Sequence, residues 1–276
     1  MVSKEEVLKA NIEVHTKLVP RYNEEPHYKS ENLERVSNIL KDLQLRTGGE
    51  SLLDLGCGTG FVIDLAKNFF KNIVGIDATP AMLERVNTTS KIGTIRILEG
   101  NCESIPFPNN SFDVCTAYAV LHHLKDVKDT LAEAYRVLKP GGIFYSDLDP
   151  NEPFWESIRQ LPKDRHYSDI IEREIQAVAG EVFETKGDLG ISKEEYSTSE
   201  YAKFQDGGIN TRRLSKDLKE AGFSSFSINY TWFLGEGKVT HDPNTKNSIK
   251  DFQKYMQDLL PLSEHLFKSI SIVAEK

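Results

Sequence analysis

Cysteine is scarce in this chain: Cys57, Cys102 and Cys115 are the only three in 276 residues. They lack metal-ligand spacing and sit in apolar or glycine-rich surroundings, which excludes a disulfide scaffold or a zinc-ligand framework and makes a reducing cytoplasm the expected location. Positive charge is not in surplus either. Lys and Arg number 34 against 42 Asp and Glu, a formal net charge of -8, so no nucleic-acid partner is expected. No run of apolar residues approaches the length that spans a bilayer, and residues 1–20 hold no targeting-type segment, so no membrane association is expected. Repeats and low-complexity tracts are lacking as well. What remains is 39% hydrophobic and 28% charged, suited to one elaborated, soluble α/β domain that binds a small molecule.

The apolar pattern alternates between two periods. From Glu5 to Leu43 it is helical but broken by Pro20 and Pro26, which predicts two helices joined by an aromatic loop carrying Tyr22, His27 and Tyr28. A strand at Ser51–Leu55 runs into Gly56-Cys57-Gly58-Thr59-Gly60 and then a helix over Phe61–Phe70. A second strand, Ile73–Asp77, stops at an acid, and Thr79-Pro80 caps and starts another helix. Strands follow at Thr94–Leu98 and Phe112–Ala117, then a helix Val127–Leu138 closed by Lys139-Pro140-Gly141-Gly142, then a strand Ile143–Leu148. After an irregular stretch the alternation resumes with a helix Thr211–Ala221, a strand Phe223–Phe233, a helix Ser248–Leu260 and a closing strand Phe267–Ala274. The predicted fold is a doubly wound, mostly parallel α/β sheet. A single domain over 1–276 is expected, with a helical cap at 1–47, a cofactor-binding half at 48–150, a lid insertion at 151–208, and the rest of the sheet at 209–276 with a helical insertion at 236–262.

In such a sheet a ligand lies beyond the carboxyl ends of the strands. Gly56, Gly58 and Gly60 allow a tight turn and close approach of a ligand to backbone, and Asp77 can accept from both hydroxyls of a ribose. Asn101 or Glu103 can receive an adenine amino group, with the Cys102 backbone N–H on a ring nitrogen. The third glycine comes one residue too early for a dinucleotide fingerprint, which disfavours a nicotinamide-dependent oxidoreductase.

Leu52-Leu53-Asp54-Leu55-Gly56-Cys57-Gly58-Thr59-Gly60 closely resembles the first motif of class I S-adenosylmethionine-dependent methyltransferases, most nearly the small-molecule, ubiquinone/menaquinone type. Ile76-Asp77, Asn101 to Phe107, Ser111 to Val114, Leu121-His122-His123 and Leu138 to Gly142 look like the later motifs in order. The resemblance implies S-adenosylmethionine as cofactor and a seven-stranded sheet whose last strand runs antiparallel between the fifth and sixth. It implies that Asp54 and the turn, Cys57 included, hold the methionine part, Asp77 with Ala78 the ribose, Met82 an adenine face, and Asn101 with Cys102 the adenine edge. Ala117, Tyr118, His123 and the loop residues Tyr22 and Tyr28 would complete the cofactor wall. The family more often has Asp where Asn101 stands, and asparagine supplies no charge there.

The methyl of a sulfonium is already electrophilic, so no metal is needed, and a base matters only if the acceptor must lose a proton. His123, then His122, then Tyr118 are the candidates for such a base. The acceptor is expected to be a small organic molecule, enclosed by a roof containing Phe154, Trp155, Tyr167, Tyr196, Tyr201, Phe204, Trp232 and Phe233. No Asn/Asp-Pro-Pro-aromatic motif follows the fourth strand, so methylation of DNA or a release factor is not expected. A non-catalytic, cofactor-binding regulatory protein is the alternative class, and oligomeric state is left open.

Overall fold

Apolar, β-branched runs supply seven strands: β1 Ser51–Leu55, β2 Asn72–Asp77, β3 Thr94–Glu99, β4 Phe112–Tyr118, β5 Leu138–Pro150, β6 Ser225–Phe233 and β7 Phe267–Glu275. In the computed structural model they form one sheet in the order β3-β2-β1-β4-β5-β7-β6. The structure describes the chain apart from residues 1, 25–27, 163–165, 168, 170, 173–174, 176–188, 234–235 and 237–247, together with the side chains of 31 and 248–250. Strands β1 to β5 pair in parallel, and β7 lies antiparallel between β5 and β6. The doubly wound, seven-stranded arrangement with an antiparallel last strand is therefore the one the motifs implied. Strand order reverses between β1 and β4, which opens a crevice at their carboxyl ends.

The helices are α1 Lys4–Leu18, α2 Ser30–Thr47, α3 Phe61–Ala66, α4 Pro80–Leu83, α5 Lys128–Val137, α6 Glu152–Arg159, α7 Lys193–Ser199, α8 Tyr201–Phe204, α9 Thr211–Ala221 and α10 Ser248–Asp258. A capping box between Ser3 and Glu6 starts α1, and left-handed glycines, Gly48 at φ 59° and Gly222 at φ 116°, stop α2 and α9. The alternation of β1 sends Leu53 and Leu55 into one apolar layer with Leu131, Ala134, Leu214 and Leu218. Leu52 goes into the other, with Val36, Leu40, Phe61 and Val62. Each layer buries one face of the sheet, as a parallel sheet requires.

Several expectations are corrected. The Lys139-Pro140-Gly141-Gly142 segment is not a free turn but the bulged entry to β5. Leu138 pairs with Phe112 and Ile143 with Val114, so five residues advance along β5 against two along β4. Helix α3 ends at Ala66 rather than Phe70, although Phe70 is still fully buried. Thr79 occupies the N-cap of α4 without a side-chain cap; its own N–H donates to Asp77 Oδ1 at 2.8 Å. His27 and most of the 236–246 linker lie outside the described residues, as does much of 163–188 within the expected lid.

Candidate functional site

The glycine turn after β1 forms the floor of the crevice. Gly56, Gly58 and Gly60 have φ of 62°, 53° and 94°, a region that disfavours any side chain. A Cβ on Gly56 would fall 2.6 Å from Val120 Cγ2, so the turn packs directly on the segment after β4. Asp77 braces the turn from β2: its Oδ2 accepts the Gly58 N–H at 2.8 Å while Oδ1 takes that of Thr79.

Beneath the turn, Asp54 is 1% exposed. Its Oδ1 accepts the Thr116 hydroxyl at 2.7 Å, and Oδ2 has no partner among the described residues. Burial pushes its carboxyl up to about 7; the Thr116 bond opposes this and the charge of Asp77 adds to it. A buried carboxyl with an unpartnered oxygen calls for a partner, and Asp54 itself lies below the cavity wall rather than in it.

A cavity of about 90 Å³ lies over the turn. Its wall brings together Tyr22, Gly56, Gly58, Asp77, Ala78, Met82, Asn101, Cys102 and His123. The other candidates stand elsewhere. Cys57 is buried behind the turn, with its thiol held well above its ordinary value by burial, and Gly60 packs toward Val86. Ala117 is buried in the sheet core. Tyr28 bonds Thr59 Oγ1 at 2.6 Å, outside the cavity wall. Glu103 is turned to α1, accepting from Lys4 Nζ at 2.8 Å. Asn101 Oδ1 accepts the Glu103 N–H at 3.0 Å and its Nδ2 donates to Glu103 Oε2 at 3.4 Å, so one lone pair and one N–H of the amide are used within its own loop. Burial pushes the Cys102 thiol up to about 11, which leaves only its backbone for recognition.

Tyr118 does not face the cavity. Its hydroxyl accepts from Asn32 Nδ2 at 2.8 Å under α2, and burial, reinforced by the charge of Asp147, raises it far above the range of a working base. His122 is also turned away, its Nδ1 lying 2.9 Å from Asp149 Oδ1. His123 alone of the three candidate bases lines the wall, and burial, with His122 adding, holds its imidazole well below the ordinary value.

The sequence reading missed the opposite wall. Leu8, Asn11 and His15 of α1 line the cavity, and their i, i+3, i+7 spacing was the available signal. Lys4 pins the start of α1 to Glu103, and Tyr22, just past its end, lies over Gly58, so α1 spans the cavity from the Asn101 end to the glycine turn. None of the eight roof aromatics lines this cavity. Phe154 and Trp155 form a small core with Ile158, and Phe233 packs with Met256 and Phe267.

Residues 53–146 match the methyltransferase domain family. The fold resembles the crystal structure of an S-adenosylmethionine-dependent methyltransferase from Archaeoglobus fulgidus, with a TM-score of 0.54 and 13% identity over 88% of this chain and 94% of that one. A demethylmenaquinone methyltransferase of Listeria monocytogenes is 30% identical over 202 residues, covering 70% of this chain and 77% of the relative. The chain belongs to the S-adenosylmethionine-dependent methyltransferases. This methyltransferase is also 30% identical over 145 residues to an uncharacterized methyltransferase of Bacillus subtilis, there spanning 46% of its own length and only 57% of the relative's. S-adenosylmethionine is the cofactor of the family, and the crevice at the β1/β4 reversal is where this fold holds a nucleotide-like ligand. No helix among the described residues is long and apolar enough to cross a membrane.

Proposed function

We propose that this methyltransferase transfers the methyl group of S-adenosylmethionine directly to a small organic acceptor. One observation carries the reading: the glycine turn, Asp77, Met82 and Asn101 converge on one cavity above a buried, half-partnered Asp54. These residues fit the cofactor. Asp54 Oδ2 takes an ammonium, the second lone pairs of Asp77 take two ribose hydroxyls, and Gly56 and Gly58 admit a chain that any side chain would block. Met82 flanks the adenine. Asn101 offers the second lone pair of its carbonyl oxygen to the adenine amino group, beside the backbone N–H of Cys102.

When bound, the cofactor supplies a methyl group on a positively charged sulfur, ready for in-line attack. The protein has to align the acceptor and exclude water. Helix α1 does the second by closing over the cavity, with Leu8 as the apolar part of its inner face. The glycine turn, fixed through Asp77, sets the direction from which an acceptor approaches.

A small acceptor is supported by the acidic balance of the chain and by the Listeria relative, whose name makes demethylmenaquinone its substrate. Phe154, Trp155 and Phe233 do not argue for an apolar acceptor chamber, because they build satellite cores of their own. The test is incubation with methyl-labelled cofactor and a fractionated cell extract. Label is expected in the small-metabolite fraction; label confined to protein or nucleic acid, or left on the cofactor, overturns the reading.

A further inference from the structure

The described residues contain one tight group of metal-ligating side chains, behind the cofactor wall. One donor atom each from His122, His123 and Glu200 lie within 4.8 Å of one another. The histidines sit on the 3-10 turn Leu121–His123 after β4, and Glu200 joins α7 to α8 in the lid.

Both imidazoles are already oriented as ligands are. His123 Nδ1 lies 2.8 Å from the Ser199 carbonyl oxygen, which can only accept, so the proton is on Nδ1 and Nε2 keeps its lone pair. His122 Nδ1 lies 2.9 Å from Asp149 Oδ1, and the same oxygen accepts the His122 backbone N–H at 3.1 Å. That carboxylate selects the same tautomer and leaves His122 Nε2 free, 3.8 Å from Glu200 Oε2. Histidines that bind metals are held this way, with the far ring nitrogen donating to a carboxylate or carbonyl.

Charge points the same way. Asp149 is fully buried and the Glu200 side chain is 13% exposed, while among the described residues the ammonium paired with Glu200 is Lys203 Nζ, at 3.8 Å. Two buried carboxylates against one lysine leave the cluster one positive charge short. A proton on an imidazole would balance it; a cation would balance it and also use the donor atoms that the three side chains bring within 4.8 Å of one another.

We propose that His122, His123 and Glu200 form a binding site for a divalent transition-metal cation of the zinc type, lodged between the lid and the cofactor crevice. Two imidazoles and one carboxylate suit such a borderline ion rather than magnesium or calcium, which prefer oxygen ligands throughout. Metal–nitrogen bonds of about 2 Å require the three donors to close to within about 4 Å, a contraction that side-chain rotation supplies once Lys203 swings off Glu200. Three protein ligands leave a fourth position open. His123 belongs to both the metal site and the cavity wall, so the ion ties the lid to the methyl-transfer side. A ligated His123 has no lone pair for a proton, so the site replaces the base role that the sequence offered for these histidines, and it reverses the expectation that no metal is involved.

Zinc binding is measured without cofactor, so the proposal stands or falls separately from methyl transfer. The full chain, stripped with a chelator and dialysed, is titrated with Zn²⁺ in a calorimeter. One equivalent is expected to bind, at least tenfold more weakly in His122→Ala and in Glu200→Gln, and more tightly in Lys203→Met, which removes the competing ammonium. Retained binding of S-adenosylhomocysteine by Glu200→Gln shows that this variant is folded. Co²⁺ substituted into the unaltered chain gives a second readout: visible bands of a nitrogen- and oxygen-ligated ion, without the charge-transfer band that thiolate ligation produces. Absence of stoichiometric Zn²⁺ binding, binding unchanged in both ligand variants, or a thiolate band overturns the proposal.

Discussion

Asp54 shows how much one side chain's surroundings alter what it does. Its carboxyl, pushed from 3.8 to about 7, keeps its proton in the folded cofactor-free chain at pH values where the unfolded chain has lost it. The stabilising contribution is therefore fully present below 3.8 and is lost as the pH rises through about 7. In between, the slope is at most about 1.4 kcal/mol per pH unit. Denaturant unfolding at pH 5 and pH 7 is expected to show this loss in the unaltered chain and not in Asp54→Asn. An ammonium placed against Oδ2 favours the ionised form, so affinity for S-adenosylhomocysteine is expected to rise over the same window, and a flat pH profile in calorimetry would count against that placement. Asp77 acts through geometry, bracing the turn by accepting from two backbone N–H groups. Removing it in Asp77→Ala is expected to weaken S-adenosylhomocysteine binding by roughly 100-fold, the loss of about two charge-assisted hydrogen bonds, with circular dichroism unchanged.

Among the secondary-structure elements, α2 is locked to the sheet by a polar cluster. Arg35 Nη1 donates to Asp147 Oδ2 at 2.7 Å, its other nitrogens donate to Asn32 Oδ1, and its guanidinium stands 5.9 Å from the Trp232 ring centre. Asp147 is fully buried on β5, and Tyr145 donates to the same oxygen. Deleting the arginine leaves a buried, half-satisfied carboxylate, so Arg35→Ala is expected to cost about 3 kcal/mol in urea unfolding. The double variant Arg35→Ala with Asp147→Asn should lose less than the sum of its parts, because the orphaned charge goes with it. Nothing in the sequence announced this lock. Period-2 and period-3.6 patterns report which face of an element is buried, and they found the strands and Leu52, Leu53 and Leu55 in their layers. A pair 112 residues apart leaves no such trace. The same reason explains why Glu200 went unnoticed beside His122, and why the Pro140-Gly141-Gly142 bulge reads locally as a turn. Motif residues that act through backbone geometry, such as Gly56, Gly58 and Asp77, were legible because only those residue types can do what the turn needs. Of the roof aromatics, Phe154, Trp155 and Phe233 fill small satellite cores, which a large apolar residue does as readily as it lines a ligand chamber, so sequence alone does not separate the two roles.

The molecule as a whole is a seven-stranded sheet that carries its first helix across the wall of its crevice. The apolar side of α1, Val14 and Leu18, packs with Ile191 and Tyr196 at the start of α7, while Leu8, Asn11 and His15 look into the cavity. Asn11 Nδ2 donates to the His123 carbonyl at 3.0 Å, and the rings of His15 and His123 meet edge-on at 4.8 Å. The half-open cavity of about 90 Å³ is below the roughly 300 Å³ at which small-molecule pockets begin, so α1, which forms one wall, is expected to shift as the cofactor enters. Helix α1 is held by four buried apolar side chains, Val7, Ala10, Val14 and Leu18, by Asn11, and by the partly exposed ion pairs of Lys4 with Glu103 and Asp129 and of Lys17 with Glu195. Exposed pairs of that kind contribute about 1 kcal/mol or less, so the helix can open without disturbing the sheet. Once the cofactor lies beneath it, Leu8, Asn11 and His15 gain a surface to rest on, and the opening becomes rarer. Hydrogen–deuterium exchange of the amides in Lys4–Leu18 is therefore expected to slow at least tenfold on adding S-adenosylhomocysteine, while exchange in β1 and β4 stays nearly constant. Equal protection of helix and sheet would mean that binding stabilises the domain as a unit, and that α1 is a fixed wall rather than the door.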